Sequence, residues 1–278
     1  MNELYWKNRE GMKLYAAEWP VAAPRAVIAL VHGQSEHIGR YRHVAAWYNR
    51  QGIAFIGYDQ QGYGRSEGKK GHAHSLDALL DDIGQLLEET SMRYPGVPLF
   101  LYGHSMGGHL ALNYTLRRNP ELAGVIATGP WIRLAFPAPA LKILAAKALK
   151  NIAPALALPT DLAVEFLSRD EAVVRAYQND PLVHGLLSVS AGLDLLEGAG
   201  WLDGFAGDFS VPVLLMHGEA DRITSPAATR SFSERVGGDV THREWRGLYH
   251  EIHNEKEREE VFEFTLQWID KILRDRQK

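Results

Sequence analysis

The chain has 278 residues, a net charge of −4 and no cysteine, with 46% hydrophobic and 23% charged residues. These values are ordinary for a globular protein of one large domain or two modest ones, and the scattered Lys and Arg argue against nucleic acid as a partner. The lack of cysteine excludes disulfides, a thiol nucleophile and Cys-ligated metal, and because we find neither a leader-like segment nor an apolar run of about 18 residues we expect a cytoplasmic protein.

The first part of the chain alternates between predicted strands and predicted helices. Residues 3–9 and 12–18 predict a hairpin that turns at Glu10-Gly11. Apolar runs then predict buried strands, and amphipathic stretches predict helices, one of them with Ser75 as its N-cap. In chain order these elements are strand 26–31, helix 41–50, strand 53–58, helix 75–94, strand 97–102, helix 106–118 and strand 124–128.

An insertion of residues 131–208 interrupts this alternation. It is rich in Ala, Leu and Pro, and its helical pieces are short, with no strand as long or as apolar as those before it. The alternation resumes with strand 211–217, helix 226–235, strand 239–245 and helix 255–274. This pattern predicts an α/β fold with a mostly parallel central sheet flanked by helices. We expect a core of residues 1–130 and 209–278, with residues 131–208 as a helical cap over the C-terminal edge of the sheet.

The most informative motif is a G-x-S-x-G between a predicted strand and a predicted helix, at residues 103–107. In this setting a sharp turn holds the serine hydroxyl above the sheet edge, and the two glycines leave room for neighbouring backbone. The adjacent helix N-terminus favours developing negative charge. The motif therefore predicts Ser105 as a catalytic nucleophile.

A serine nucleophile needs a base to take its proton and a carboxylate to orient that base. In this kind of fold they follow the serine in the order Asp or Glu, then His. Asp221 follows strand 211–217 and His250 follows strand 239–245, which places both at the sheet edge expected for Ser105. We predict Asp221 as the acid and His250 as the base.

Nearby residues compete for these two roles. Glu219 offers a second carboxylate, although a glutamate at the end of a strand is commonly a solvated loop residue. His253 is the alternative base, but it falls near the start of the last helix, where we expect a surface position. His242 lies within a strand pattern, which favours a structural role. Asp221 and His250 remain the preferred pair.

Acyl transfer also needs two N–H donors for the oxyanion. One comes from the residue after the nucleophile, which is Met106. The other comes from a loop after an early strand, and the segment His32 to His37 directly follows strand 26–31. We therefore predict the backbone N–H groups of Gln34 and Met106 as the oxyanion hole.

Further motifs accompany these residues along nearly the whole chain. They are His32 to His37 with Arg40-Tyr41, Asp59 to Gly68, Gly103 to Gly108, Asn179 to Val183, His217-Gly218 with Asp221, and Tyr249 to Glu251 with Asn254-Glu255. In this order they resemble the monoacylglycerol lipase and lysophospholipase group of α/β-hydrolases, which is similar to the S33 serine aminopeptidases. The resemblance implies an α/β-hydrolase fold with an inserted cap, a triad of Ser105, Asp221 and His250, and oxyanion donors at Gln34 and Met106.

The resemblance also implies the chemistry and the partner. It implies a serine hydrolase that cleaves carboxylic esters through an acyl-enzyme and needs no metal or organic cofactor. We expect the substrate to be a small-molecule ester with an acyl chain, which the apolar cap accepts, and we expect the cap to touch a membrane surface transiently. Gln61 and Tyr63 stand where the group usually has Arg and His, a departure that bears on substrate detail rather than on the chemistry.

Other classes of function stay open at this stage. An aminopeptidase would need acidic cap residues to hold the substrate amine, for which Asp161, Glu165 and Asp170 are candidates, although their pattern is typical of helix surface. A carbon–carbon bond hydrolase would use the same triad. A small-molecule receptor on a hydrolase fold is disfavoured because every catalytic part is present. Epoxide and haloalkane hydrolases are excluded, since they need an aspartate where Ser105 stands.

Overall fold

An eight-stranded, mostly parallel sheet forms the centre of the protein. The structure is a computed structural model that describes residues 1–136, 140–160 and 162–276. Its strands are β1 (Asn2–Lys7), β2 (Lys13–Trp19), β3 (Ala26–Val31), β4 (Ile53–Tyr58), β5 (Leu99–His104), β6 (Gly124–Thr128), β7 (Ala157–Pro159), β8 (Leu186–Ser188), β9 (Val213–Gly218) and β10 (Val240–Trp245). The order in the large sheet is β1-β2-β4-β3-β5-β6-β9-β10. The pairs β1–β2 and β2–β4 are antiparallel, and the other pairs of this sheet are parallel.

Helices cover both faces of this sheet. They are α1 (Arg42–Arg50), α2 (Leu76–Arg93), α3 (Met106–Arg118), α4 (Ala140–Leu149), α5 (Glu171–Gln178), α6 (Val189–Gly204), α7 (Pro226–Arg235) and α8 (Arg258–Asp275). Because side chains alternate along a strand, each buried strand supplies two hydrophobic cores. In β3, Val27 and Ala29 pack into the core shared with α2 and α3, whereas Ile28 and Leu30 pack into the core shared with α1 and α8.

The predicted α/β fold is confirmed, with most element ends within two residues of the expected positions. Ser75 caps α2, since its side chain accepts a hydrogen bond from the N–H of Ala78. The last helix differs from the prediction because it begins at Arg258, after a separate 3-10 turn at Ile252–Asn254. That turn lies between β10 and α8 in the chain.

The insertion between β6 and β9 contains α4, β7, α5, β8 and α6. The antiparallel pair β7–β8 has strands of three residues, in line with the expectation of no long strand there. Helix α6 packs against α2 and α3 beside the sheet, whereas α4 and β7 contribute to a cavity above Ser105. The division of the chain at residues 130 and 208 stays a prediction. In the described part of the chain, no helix combines the length and apolar character needed to cross a bilayer.

A buried carboxyl group on α2 gives the fold a dependence on pH. Asp82 is 3% exposed, and its Oδ2 has no hydrogen-bond partner among the described residues. Burial raises the pKa of this group to about 7. Because the folded protein holds this proton more tightly than the unfolded chain, the contribution of Asp82 to stability is greatest below about pH 4 and declines as the pH rises through about 7.

Replacing Asp82 with Asn should remove this decline. We expect wild type to lose up to about 4 kcal/mol relative to Asp82→Asn between pH 4 and pH 7, from about three pKa units at 1.4 kcal/mol each. Urea unfolding of both proteins at several pH values measures the difference. Parallel pH profiles for the two proteins would contradict this account of Asp82.

Candidate active site

Ser105 occupies a sharp turn between β5 and α3. Its backbone has φ 56° and ψ −116°, a left-handed conformation that is uncommon and strained for a residue other than glycine. A Cβ on Gly107 would lie 2.0 Å from the carbonyl oxygen of Val31, and one on Gly103 would lie 2.2 Å from the carbonyl oxygen of Gly107. The spacing of the G-x-S-x-G motif is thus a steric requirement of this turn.

His250 lies beside Ser105 and is held by Asp221. Its Nε2 is 2.9 Å from Ser105 Oγ, and its Nδ1 is 2.7 Å from Asp221 Oδ2. The three residues lie on the segments that follow β5, β9 and β10, at one edge of the sheet. An imidazole that donates from Nδ1 to a carboxylate has Nε2 free to accept the serine proton.

The carboxylate of Asp221 is almost fully hydrogen-bonded. Oδ1 accepts the N–H groups of Ile223 at 2.7 Å and Thr224 at 3.1 Å. Oδ2 also accepts the Thr224 hydroxyl and the Nε2–H of His217, both at 2.9 Å. Burial alone would raise the pKa of Asp221, but its attraction to His250 and the hydrogen bonds from His217 and His250 hold that pKa below its usual range. The carboxylate therefore stays ionised.

The interaction between Asp221 and His250 also sets the proton affinity of His250. Burial alone would lower the pKa of His250, but the negative charge of Asp221 and its hydrogen bond raise that pKa above its ordinary value. An ionised partner in a buried site stabilises the imidazolium that forms when the serine gives up its proton. The arrangement suits His250 to general-base chemistry.

Among the described residues, none of the competing candidates forms a hydrogen bond with the Ser105 hydroxyl, which binds His250. Glu219 is exposed and accepts the backbone N–H of Gly247. His253 was expected at the surface, and that prediction is wrong, because it is 1% exposed in the 3-10 turn and stacks on Tyr41 with ring centroids 4.9 Å apart. His242 is half-buried on β10.

The described acidic cap residues considered for amine binding do not line the cavity. Glu165 is exposed, and Asp170 caps α5 through a hydrogen bond from the N–H of Ala172. Asp161 lies outside the described residues. Glu165 and Asp170 thus show no geometry for holding a substrate amine at Ser105.

The loop after β3 approaches Ser105 closely. A Cβ on Gly33 would lie 3.2 Å from Ser105 Cβ, and Gln34 and Ser105 line the same cavity. His32 donates from Nδ1 to the carbonyl oxygen of Gly33 at 2.7 Å, since its Nε2 accepts the N–H of Gln60. That carbonyl belongs to the same peptide group as the Gln34 N–H, so the bond fixes the direction of the N–H. Met106, the other expected donor, is the first residue of α3.

A cavity of about 460 Å³ opens above Ser105 and His250. Its walls are mostly apolar side chains from the insertion, including Ile143, Leu158, Leu162, Leu187, Leu193 and Leu196. Polar residues also line it, among them Gln34, Glu36 and Tyr177, together with Lys142, Thr160 and Ser188 of the insertion. The volume and the mostly apolar lining are those of a site for a small, largely apolar ligand that also carries polar groups.

Sequence reasoning missed the residues that surround the three central side chains. Thr224 and His217 bind Asp221, and Arg40 joins Glu36 to Glu251. All of them except Thr224 stand within the family-like motifs, so the motifs were a usable signal. Their roles depend on contacts between distant segments, which the pattern of a single segment does not reveal.

Comparison with known proteins adds independent evidence. The family model described as serine aminopeptidase, S33, matches residues 22–257. The chain is 32% identical over 262 residues to a monoacylglycerol lipase of Mycolicibacterium smegmatis, a match that covers 93% of each chain. It is 38% identical over 253 residues to an uncharacterized abhydrolase domain-containing protein of Dictyostelium discoideum, covering 90% of this chain and 27% of that protein. A crystal structure of Paleococcus ferrophilus monoacylglycerol lipase matches with a TM-score of 0.85 at 33% identity, covering 93% of this chain and 99% of the other.

A serine on a strand-to-helix turn, set at the C-terminal edge of a mostly parallel sheet, defines the α/β-hydrolase class. Within that class the chain belongs to the S33 serine aminopeptidase family. It is a serine ester hydrolase of the monoacylglycerol lipase and lysophospholipase type. The expected family and enzyme class are therefore confirmed.

A methyl group on Gly107 should damage the turn that presents Ser105. Because the added Cβ would meet backbone oxygens of Val31 and His32 at 2.0 and 2.5 Å, α3 must move, and we expect Gly107→Ala to lose about 3 kcal/mol or more and at least about 100-fold in ester hydrolysis. Gly200→Ala on α6 is the control, since nothing lies within 4 Å of the added methyl. Urea unfolding and esterase assays compare them, and equal behaviour of the two variants would contradict the steric argument.

Proposed function

We propose that the protein hydrolyses monoacylglycerols through an acyl-enzyme on Ser105. The observation that carries this proposal is the hydrogen-bonded line from Ser105 through His250 to Asp221, at the floor of an apolar cavity. The names of the relatives and of the solved structure point to the same substrate class.

The proposed reaction uses five groups of the chain. His250 takes the Ser105 proton at Nε2 as Oγ attacks the ester carbonyl, while Asp221 holds the imidazole in its Nδ1–H tautomer. The N–H groups of Gln34 and Met106 stabilise the oxyanion of the tetrahedral intermediate. His250 then gives the proton to the leaving alcohol. Water, activated by the same base, releases the fatty acid and restores Ser105. This sequence of steps requires no metal and no organic cofactor.

The shape and polarity of the cavity support a lipid ester as substrate. Its apolar walls suit an acyl chain, whose burial gains about 0.8 kcal/mol per methylene. Polar side chains in its lining, among them Gln34 and Tyr177, suit the hydroxyl groups of a glycerol leaving group. A monoacylglycerol with its ester bond at Ser105 would place its acyl chain against these apolar walls.

Exposed apolar side chains on the insertion support contact with a lipid surface. Leu141, Leu144 and Ile152 are 78%, 65% and 81% exposed, and Phe136 and Leu158 are also exposed. Exposed apolar side chains concentrated in one segment of the chain are typical of an interaction surface. Transient membrane contact would bring the cavity to a substrate dissolved in the bilayer. The cytoplasmic location expected from the sequence stays a prediction.

A hydrolysis panel tests the substrate class. It compares monoacylglycerols of several chain lengths, lysophospholipids, short nitrophenyl esters and aminoacyl-amides. We expect monoacylglycerols to have the highest kcat/KM and the amides to be inert, because no described acidic cap residue holds an amine at Ser105. The Ser105→Ala and His250→Ala variants should each lose roughly a million-fold, with little further loss in the double variant, since triad members act as a unit.

Three outcomes of these experiments would contradict parts of the proposal. A preference for aminoacyl-amides would establish the aminopeptidase interpretation instead. Inactivation by His253→Ala, with His250→Ala still active, would contradict the assignment of the base. Failure to cleave any ester would overturn the proposed function itself.

A larger side chain in the cavity should shorten the accepted acyl chain. Leu193 lines the cavity on α6, so Leu193→Trp should lower kcat/KM for 16- or 18-carbon monoacylglycerols about tenfold or more and leave butyrate esters within about twofold. Leu156→Trp is the control, because Leu156 is 43% exposed and lies outside the cavity wall. A uniform loss on all chain lengths would contradict the assignment of this cavity to the acyl chain.

A further inference from the structure

A buried ion cluster joins the loop after β3 to the loop after β10. It consists of Glu36, Arg40 and Glu251. Arg40 donates a hydrogen bond of 2.7 Å to Glu36 and a bidentate pair of 2.6 and 2.7 Å to Glu251. Both carboxylates are 2% exposed. Because buried charges are stable only when paired, the two loops depend on the same guanidinium.

On one side, the cluster holds the backbone of the loop that carries Gln34. Oε1 of Glu36 accepts the N–H of Gly33 at 2.6 Å. His32 binds the carbonyl oxygen of Gly33, so this glycine is fixed at both of its peptide groups. The Gln34 N–H belongs to the second of these groups, and any movement of Gly33 changes where that N–H points.

On the other side, the cluster holds the residue that follows His250. Glu251 receives the bidentate pair of Arg40, and its Oε2 accepts a hydrogen bond from Asn254 at 2.7 Å. Its backbone N–H donates to the carbonyl oxygen of Leu167 at 2.8 Å. Arg40 therefore anchors a backbone segment that is joined directly to His250.

We propose that Glu36 and Arg40 are positioning residues. Together they hold the Gln34 N–H and the imidazole of His250 in their correct positions relative to Ser105. Both act through other groups, Glu36 through the Gly33 peptide and Arg40 through the two carboxylates. The proposal rests on the proposed function, because it takes the Gln34 N–H as an oxyanion donor. A displacement of about 1 Å in such a donor can cost about 100-fold in rate.

Glu36→Gln is the variant that separates positioning from charge burial. It leaves Arg40 paired one-to-one with Glu251, so no buried charge is left without a partner. In the native protein the two carboxylate oxygens of Glu36 accept from Gly33, Tyr41 and Arg40. In a glutamine, one oxygen can still accept from Gly33 and Tyr41, but the amide NH2 that replaces Oε2 is a donor facing the donor of Arg40, so the bond that ties this loop to Arg40 is lost.

Glu18→Gln is a matched control. Glu18 is 6% exposed and also accepts a tyrosine hydroxyl, that of Tyr94, at 3.0 Å, together with the side-chain amide of Asn2. It lies on β2, which β4 and β3 separate from β5 in the sheet. A loss of stability or activity that both variants share comes from replacing a buried carboxylate with a neutral amide. It does not come from a change in the active site.

For Glu36→Gln we expect kcat on the preferred ester to fall about 10- to 100-fold, with KM within about threefold of wild type. Affinity for a trifluoromethyl ketone, which forms an oxyanion adduct with an active serine, should fall by the same factor as kcat/KM. Glu18→Gln should keep wild-type values for all three. A purely structural role of Glu36 would lower the melting temperature without moving kcat or the ketone affinity.

A Glu36→Gln kcat within about twofold of wild type, a loss confined to KM, or an unchanged ketone affinity would overturn the proposal. If Glu36→Gln does not fold, Glu251→Gln is measured in the same way, since it leaves Arg40 paired with Glu36. A lowered kcat with constant KM then supports the proposal, and a wild-type kcat overturns it. Inactivity of the wild-type protein on every ester would overturn the proposed function instead, so the two failures are distinguishable.

Discussion

The buried negative charge of Asp221 is the constraint on which the rest of the site depends. An ionised carboxylate costs several kcal/mol to bury unless hydrogen bonds and an opposite charge compensate it. Here the compensation comes from His250, from His217 at the end of β9, and from the backbone and hydroxyl of Thr224. The loops after β9 and β10 must therefore meet at this carboxylate, and their meeting places His250 against Ser105.

The backbone conformation of Ser105 is a second constraint on the site. A serine with positive φ is strained, and the sheet tolerates it because glycines at positions 103 and 107 let β3, β5 and α3 approach within contact distance. The close approach that creates the strain also places Gly33 next to Ser105. A rigid floor of polar groups thus faces an apolar cavity, which is the combination that ester hydrolysis of a lipid requires.

The sequence allowed the fold and the central residues to be predicted because both follow local rules. Alternating apolar runs and amphipathic stretches predicted the sheet, and strand ends indicated where Ser105, Asp221 and His250 would meet. His253 was misplaced because its burial depends on Tyr41 and on the nearby ring of His104, which lie far from it in the chain. The cluster of Glu36, Arg40 and Glu251 escaped prediction for the same reason, since its partners are 211 positions apart. The insertion has the least regular pattern of apolar residues. Its short strands β7 and β8 pair with each other although α5 lies between them in the sequence.

The most direct test of the central claim, that Ser105 is acylated at the base of a lipid-binding cavity, is covalent labelling by a fluorophosphonate followed by peptide mapping. We expect one phosphonyl group per chain, attached to Ser105, at a rate that monoacylglycerol slows in proportion to its occupancy of the cavity. Label on another residue, or no label on a protein that still cleaves esters, would contradict that claim.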